Sequence, residues 1–87
     1  MITFDDLEFK DMEHTYYGGV QARIQFPNGY GASVVKHKFS YGGPDGLYEL
    51  AVTKDNNLCY DTPVTNDVEG YLTPNDVTEL LEQIQSL

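Results

Sequence analysis

The stretch VQARIQFPNGYGASVV, residues 20–35, alternates apolar and polar side chains from Val20 to Phe26, turns, and resumes as a second extended run. The period of two places Val20, Ala22, Ile24 and Phe26 on one face of a half-buried strand. Asn28-Gly29 is the favoured centre of a type I′ hairpin, because both residue types tolerate positive φ. A loop made of those two residues alone sets Phe26 across from Gly31, Ile24 across from Ser33 and Ala22 across from Val35. A large ring then covers a strand glycine, and Tyr30, Ala32 and Val34 line the opposite face. The second strand extends from about Tyr30 to Phe39, which points His37 inward near the end of the sheet.

Working outward, SYGGPDG (residues 40–46) holds three glycines, a proline and an aspartate, the composition of a loop. Leu47 to Thr53 reads as a third strand, with Tyr48, Leu50 and Val52 on one face and Glu49 and Thr53 on the other. Lys54 to Asn57 forms a turn, and Leu58-Cys59-Tyr60 a short fourth strand. The N-terminal stretch fits two descriptions: Leu7 and Phe9 alternate like an edge strand, while Thr3 to Asp6 can cap one helical turn. The last segment is a helix from about Pro74 to Ser86. Thr73 serves as N-cap, Pro74 occupies the first helical position, where a missing N–H costs nothing, and Asp76 completes a capping box. Leu72 and Val77 stand where a hydrophobic staple needs them. Val77, Leu80, Leu81, Ile84 and Leu87 share one face at helical spacing. The expected fold is one α+β domain spanning residues 1–87, an antiparallel sheet of about four strands packed by a single C-terminal α-helix.

Eighty-seven residues, 40% of them apolar and 13% aromatic, suit one modest core. A chain of this length buries about 60–65% of its unfolded surface. No run approaches the roughly eighteen apolar residues of a membrane span. The start carries Asp5, Asp6 and Glu8, the reverse of a secretory signal. With Cys59 as its one cysteine, the chain is expected in a reducing cytoplasm without disulfides.

Fourteen acidic residues against five basic ones leave a net charge of −9, and the charge is unevenly placed. Residues 14–44 contain no acid at all, only Arg23, Lys36 and Lys38, whereas the flanking stretches are strongly acidic. Such a surface repels nucleic acid, so no direct nucleic-acid partner is expected, nor a membrane.

Candidate chemistry is sparse. His14, His37 and Cys59 stand in no catalytic or zinc spacing, and Asp55-Asn56-Asn57 lacks the glycine and distal glutamate of a calcium loop. Gly29 to Ser33 joins two strands, whereas a phosphate loop leads into a helix. The Asp61–Asp67 loop gathers two carboxylates and hydroxyls that could hold a cation or substrate, although turns and caps use the same residues. Neither catalytic residues, a metal site nor a cofactor is therefore assigned. What remains is aromatic. Seven tyrosines, with no tryptophan, sit largely beside glycines. Tyr16, Tyr17, Tyr30 and Tyr41 in such turns offer large contact area at low entropic cost, as binding surfaces do.

Four segments, VQARIQFPNGYGASVV, SYGGPDGLYELAV, LCYDTPVTNDVEGYLT and DVTELLEQI, together resemble a family of small bacteriophage proteins over about Val20 to Ile84. The family carries no assigned activity, so no residue role comes with the likeness. The resemblance implies an accessory protein in the host cytoplasm that inhibits or redirects a host protein by direct binding, a defence component such as CRISPR-Cas among the candidates. Two alternatives stand beside this non-enzymatic reading. Asp76, Glu79 and Glu82 recur on the helix at spacings of three, as an acidic mimic of nucleic acid requires, though a solvated helix face carries the same pattern. A small-ligand site at the Asp61–Asp67 loop is the other.

Overall fold

The computed structural model describes residues 1–65 and 67–87. The described residues form six antiparallel strands: β1 (Lys10–Asp11), β2 (Val20–Gln25), β3 (Tyr30–Lys36), β4 (Tyr48–Lys54), β5 (Asn57–Leu58) and β6 (Glu69–Leu72). One helix, α1 (Pro74–Gln85), packs across one face of the sheet. This is the α+β architecture expected from the sequence, with a sheet enlarged by β1 and β6. The strands lie in the order β1-β2-β3-β4, and β5 and β6 share the far edge of β4, one toward each end. The fourth strand is Asn57–Leu58 only, although Cys59 still donates its N–H to Val52 O at 2.9 Å.

The β2–β3 register corrects the two-residue hairpin. Ala22 pairs with Val34, Ile24 with Ala32 and Gln25 with Gly31, so the loop is Pro27-Asn28-Gly29 and Phe26 donates its N–H to Tyr30 O. Gly29 has φ +89°, as a hairpin turn requires, but Asn28 is not in the left-handed region. Its side chain is used differently. Asn28 Oδ1 accepts from Tyr30 N at 3.0 Å, and Asn28 Nδ2 donates to the Ile84 carbonyl at 2.9 Å, so the hairpin tip satisfies a carbonyl at the end of α1. Pro27 favours the first central position of the β-turn closed by Gly29 N–H to Phe26 O, and glycine suits the position that follows. A left-handed pair does occur one hairpin later, at Asp55 (φ 51°) and Asn56 (φ 70°) between β4 and β5.

A one-residue shift moves a whole strand face. Ala32 and Val34 therefore do not line the outer face but lie beside Ala22, Ile24 and Phe26 on the inner one, with Leu50 and Val52 from β4. Gly31 lies across from Gln25 rather than beneath Phe26, and a Cβ there would meet Ile24 O at 2.2 Å. β3 ends at Lys36, so His37 is not an inward strand residue; it lies half-buried in the following turn. The outer face is mostly polar, with Gln21 Nε2 donating to Ser33 Oγ.

The helix forms where the sequence places it. Thr73 Oγ1 accepts from Asp76 N, and Asp76 Oδ2 accepts from Thr73 N at 3.0 Å, a reciprocal cap contributing about 1 kcal/mol. Val77, Leu81 and Ile84 are buried against the sheet, Leu80 is half-buried, and Leu87 lies exposed beyond the helix. Of the two descriptions of the N-terminus the helical turn holds, whereas the edge strand forms at Lys10–Asp11 and not at Leu7 and Phe9, which pack against the core instead. Thr3 and Asp6 close a short 3-10 turn, Phe4–Asp6, and β1 then forms the edge. Phe4 N donates to Thr78 Oγ1, while Ile2 and Gln85 exchange two hydrogen bonds, tying this segment along α1. Phe4, Phe9 and Tyr48 meet with ring centroids 5.1–5.5 Å apart. Among the described residues no helix is long and apolar enough to cross a membrane.

Two substitutions test this packing. Leu81→Ala removes a fully buried side chain and is expected to cost about 2–5 kcal/mol, lowering the Tm by about 10 °C or more in thermal unfolding followed by circular dichroism. Asn28→Gly separates the two hairpins. In a type I′ turn glycine would be harmless, whereas losing the tie to α1 is expected to destabilise by about 1–2 kcal/mol in a urea titration.

Candidate functional site

At the end of the sheet where β2 begins and β3 finishes, two loops meet: residues 12–19, between β1 and β2, and residues 37–43 after β3. The crossing is tight. Gly19 has φ +72°, and a Cβ on it would come within 2.1 Å of Lys36 O; one on Gly43 would meet His37 O at 1.9 Å. Glycine at position 19 lets the two loops touch, and glycine at position 43 lets the second loop close on its own start at His37. Thr15 Oγ1 donates to Met12 O, and Glu13 Oε1 accepts from Gly19 N, which holds the first loop closed. In the second, Ser40 Oγ accepts from His37 N and donates to His37 O, both at 2.9 Å, and His37 Nδ1 accepts from Phe39 N.

These turns bring four rings together. Tyr16 stacks on Phe39 with centroids 5.5 Å apart and planes 18° from parallel. Tyr17 stands edge-on to both at 6.0 Å and packs against the His37 ring at 5.2 Å. The stacked pair remains open to solvent, Tyr16 at 76% and Phe39 at 54% exposure. Lys38 Nζ lies 5.1 Å from the Tyr16 centroid and 5.4 Å from that of Phe39, and Lys36 Nζ lies 5.0 Å from the Tyr48 ring. Beside the rings is a cleft of about 480 Å³. Lys36, Lys38 and the glycine backbones line it, together with Glu13. Exposed aromatic faces, cations and accessible backbone make a surface suited to contact, with no nucleophile–base pair among them.

A second aromatic pair is built by a β-bulge. Tyr48 pairs with Leu72 and Leu50 with Glu69, so Gly70 and Tyr71 together oppose Glu49. Tyr71 takes φ +56°, uncommon for a bulky residue, and its N–H goes to Tyr41 O at 3.0 Å instead of to β4. Glu49 Oε2 accepts from Tyr41 N, so the bulge and the Tyr41 turn lock together, and both rings face solvent at 60% exposure.

The expected site residues thus separate. Tyr16 and Tyr17 join one cluster, and Tyr41 is placed with Tyr71. Tyr30 lies at the opposite end of β3, half-buried on the core beneath Lys54 Nζ at 5.3 Å. Glu79 and Glu82 are exposed on α1, while Asp76, first of the proposed row of helix charges, is engaged in the cap. Phe39 and Tyr71 belong to the aromatic surface but not to the residues expected from sequence. Phe39 reads there as the last residue of a strand, and Tyr71 only as one more tyrosine beside a glycine, Gly70.

The Asp61–Asp67 loop is occupied with itself. Thr62 Oγ1 accepts from Val64 N and Thr65 N, Thr65 Oγ1 accepts from Asp67 N and donates to Asp67 O, and Asp67 Oδ1 accepts from Val68 N. Cys59 Sγ donates to Asp61 Oδ1 at 3.0 Å. Asn66, within this loop, lies outside the described residues. No group of three or more His, Cys, Asp or Glu among the described residues is placed to hold a metal ion. Comparison of the chain with protein-family models, curated proteins and solved structures gives no match.

The left-handed backbone at Tyr71 yields a stability test. Tyr71→Gly relieves a conformation that disfavours a Cβ and removes an exposed ring, so the Tm is expected to stay level or rise, by up to about 1 kcal/mol of stability. A fall of several degrees in thermal unfolding would instead make Tyr71 part of the core.

Proposed function

We propose that this protein is a non-enzymatic binding module that docks a host protein through the aromatic end of its sheet, with Tyr16, Tyr17 and Phe39 as anchors. The observation that carries this reading is the exposed Tyr16–Phe39 stack, braced edge-on by Tyr17 and held under Lys38. Aromatic side chains dominate interface hot spots because they bury large area with few rotatable bonds. Here the rings already hold one another in place. Tyr41 and Tyr71 extend the aromatic surface at the neighbouring strand end, while Tyr30 supports the core. That the partner is a host protein, engaged in order to inhibit or redirect it in the host cytoplasm, rests on the resemblance of residues 20–84 to small bacteriophage proteins. Glu79 and Glu82 serve in this reading as solvated helix charges.

A photo-crosslinking side chain placed at Tyr16, Phe39, Glu79 or Glu82 in bacterial cells tests the assignment. The expected result is one adduct of defined mass from positions 16 and 39. Unlabelled parent protein should compete it away, and the Tyr16→Ala/Phe39→Ala double variant should not. An adduct from positions 79 and 82 alone would transfer the interface to the helix and favour nucleic-acid mimicry.

A further inference from the structure

We infer that the cleft beside the Tyr16–Phe39 stack takes an acidic, extended peptide segment, its carboxylates at Lys36 and Lys38 and an apolar side chain on the rings. This rests on the docking reading above and specifies the chemistry of the partner. The first support is where the cations sit. Lys38 Nζ lies over the two stacked rings, and Lys36, which also lines the cleft, rests its Nζ on Tyr48 outside the stack. A lysine over a ring is not neutralised by a carboxylate there, and those of its three donors not turned to the ring can meet an incoming anion. The one carboxylate among the lining residues, Glu13, is held by the Gly19 N–H. All the other residues lining the cleft lie in the acid-free segment, residues 14–44.

The net charge of −9 does not oppose this. The molecule measures 31 × 24 × 22 Å, about four Debye lengths across its long axis at physiological salt. A ligand seated at one end responds mainly to the charges beside it. An acidic patch elsewhere slows long-range approach, while Lys36 and Lys38 determine what stays bound.

Shape narrows the ligand further. The stacked rings are more than half exposed, so a small molecule on them would keep much of its surface in water, whereas pockets for such ligands enclose most of it. A chain laid along the cleft can instead place one side chain on the rings and its neighbours at the lysines. Single-stranded nucleic acid also combines stacking with cations, but it needs a groove of cations that tracks its backbone. Five basic residues in the whole chain do not supply one.

The test uses the full chain, labelled with 15N, and three probes in large excess. They are a short synthetic peptide alternating Glu with Leu and Tyr, the same peptide with Lys for Glu, and a short oligothymidylate. Amide shifts should move at residues 15–19 and 36–39 with the glutamate peptide and not with the other two. Lys38→Glu should weaken that binding roughly tenfold. Lys38 is exposed, so the rest of its spectrum should match the parent, and Tyr16→Ala should weaken binding as well. Shifts with the lysine peptide, or equal shifts with both peptides, overturn the acidic chemistry. Preferential binding of oligothymidylate makes the site a nucleic-acid platform and also overturns it. If no probe moves these loops while crosslinking from Tyr16 succeeds, the docking surface stands and the acidic-segment inference falls.

Discussion

The amide of Asn28 couples the two halves of the molecule. Its oxygen accepts from Tyr30 N and fixes the hairpin loop, while its nitrogen donates to Ile84 O at the end of α1. Because the side-chain period of a strand is two, the loop length sets which residues of β3 meet the helix. With a three-residue loop, Ala32 and Val34 join Leu50 and Val52 beneath Leu81 and Ile84. A two-residue loop would present Ser33 and Val35 there instead, adding a hydroxyl to the core and moving Val34 into water. Each large apolar side chain misplaced in this way forfeits about 1.5–3 kcal/mol, a large share of the stability of so small a domain.

The same register delivers the functional surface. Once β2 and β3 are aligned, Val20 lies across from Lys36, so the loops that precede one and follow the other must emerge together. Gly19 then allows contact with the Lys36–His37 backbone that any side chain would prevent, and Gly43 closes the second loop on His37. On the neighbouring strand pair, the bulge opposite Glu49 turns Tyr71 outward beside Tyr41. Core packing on the inner face and exposed rings at the sheet end are two results of one strand alignment.

Much of the fold is legible in the sequence because local signals agree. Thr73, Pro74 and Asp76 mark the start of α1, and the alternation through Val20–Phe26 and Tyr48–Val52 marks the faces of β2 and β4. The hairpin shows where such signals compete. Asn28-Gly29 favours a two-residue turn, Pro27 favours a β-turn one residue earlier, and a contact 56 residues away decides between them. The candidate site was half visible. Tyr16 and Tyr17 stand out beside Gly18-Gly19, but whether Tyr30 or Phe39 joins them depends on which end of β3 each occupies, a tertiary fact. Tyr71 stands out only as a neighbour of Gly70, because nothing local announces left-handed backbone at a tyrosine; the bulge arises from pairing with β4.

A chain of 87 residues has little apolar area to leave outside, since burial is what offsets its conformational entropy. Yet Tyr16, Phe39, Tyr41 and Tyr71 all remain more than half exposed, while Val, Leu, Ile and Ala fill most of the core. Ring-on-ring contacts contribute about 0.5–1.5 kcal/mol each beyond area burial, a modest return for rings kept in water. Their larger effect is on association. Ordering a flexible side chain at an interface costs roughly 0.5–1.5 kcal/mol, and Tyr16, Tyr17 and Phe39 are already ordered by one another and by Lys38. Ring contacts already made on folding therefore lower part of the entropy cost that binding would otherwise incur, and the surface they form is amphipathic and locally cationic on a molecule that is acidic almost everywhere else.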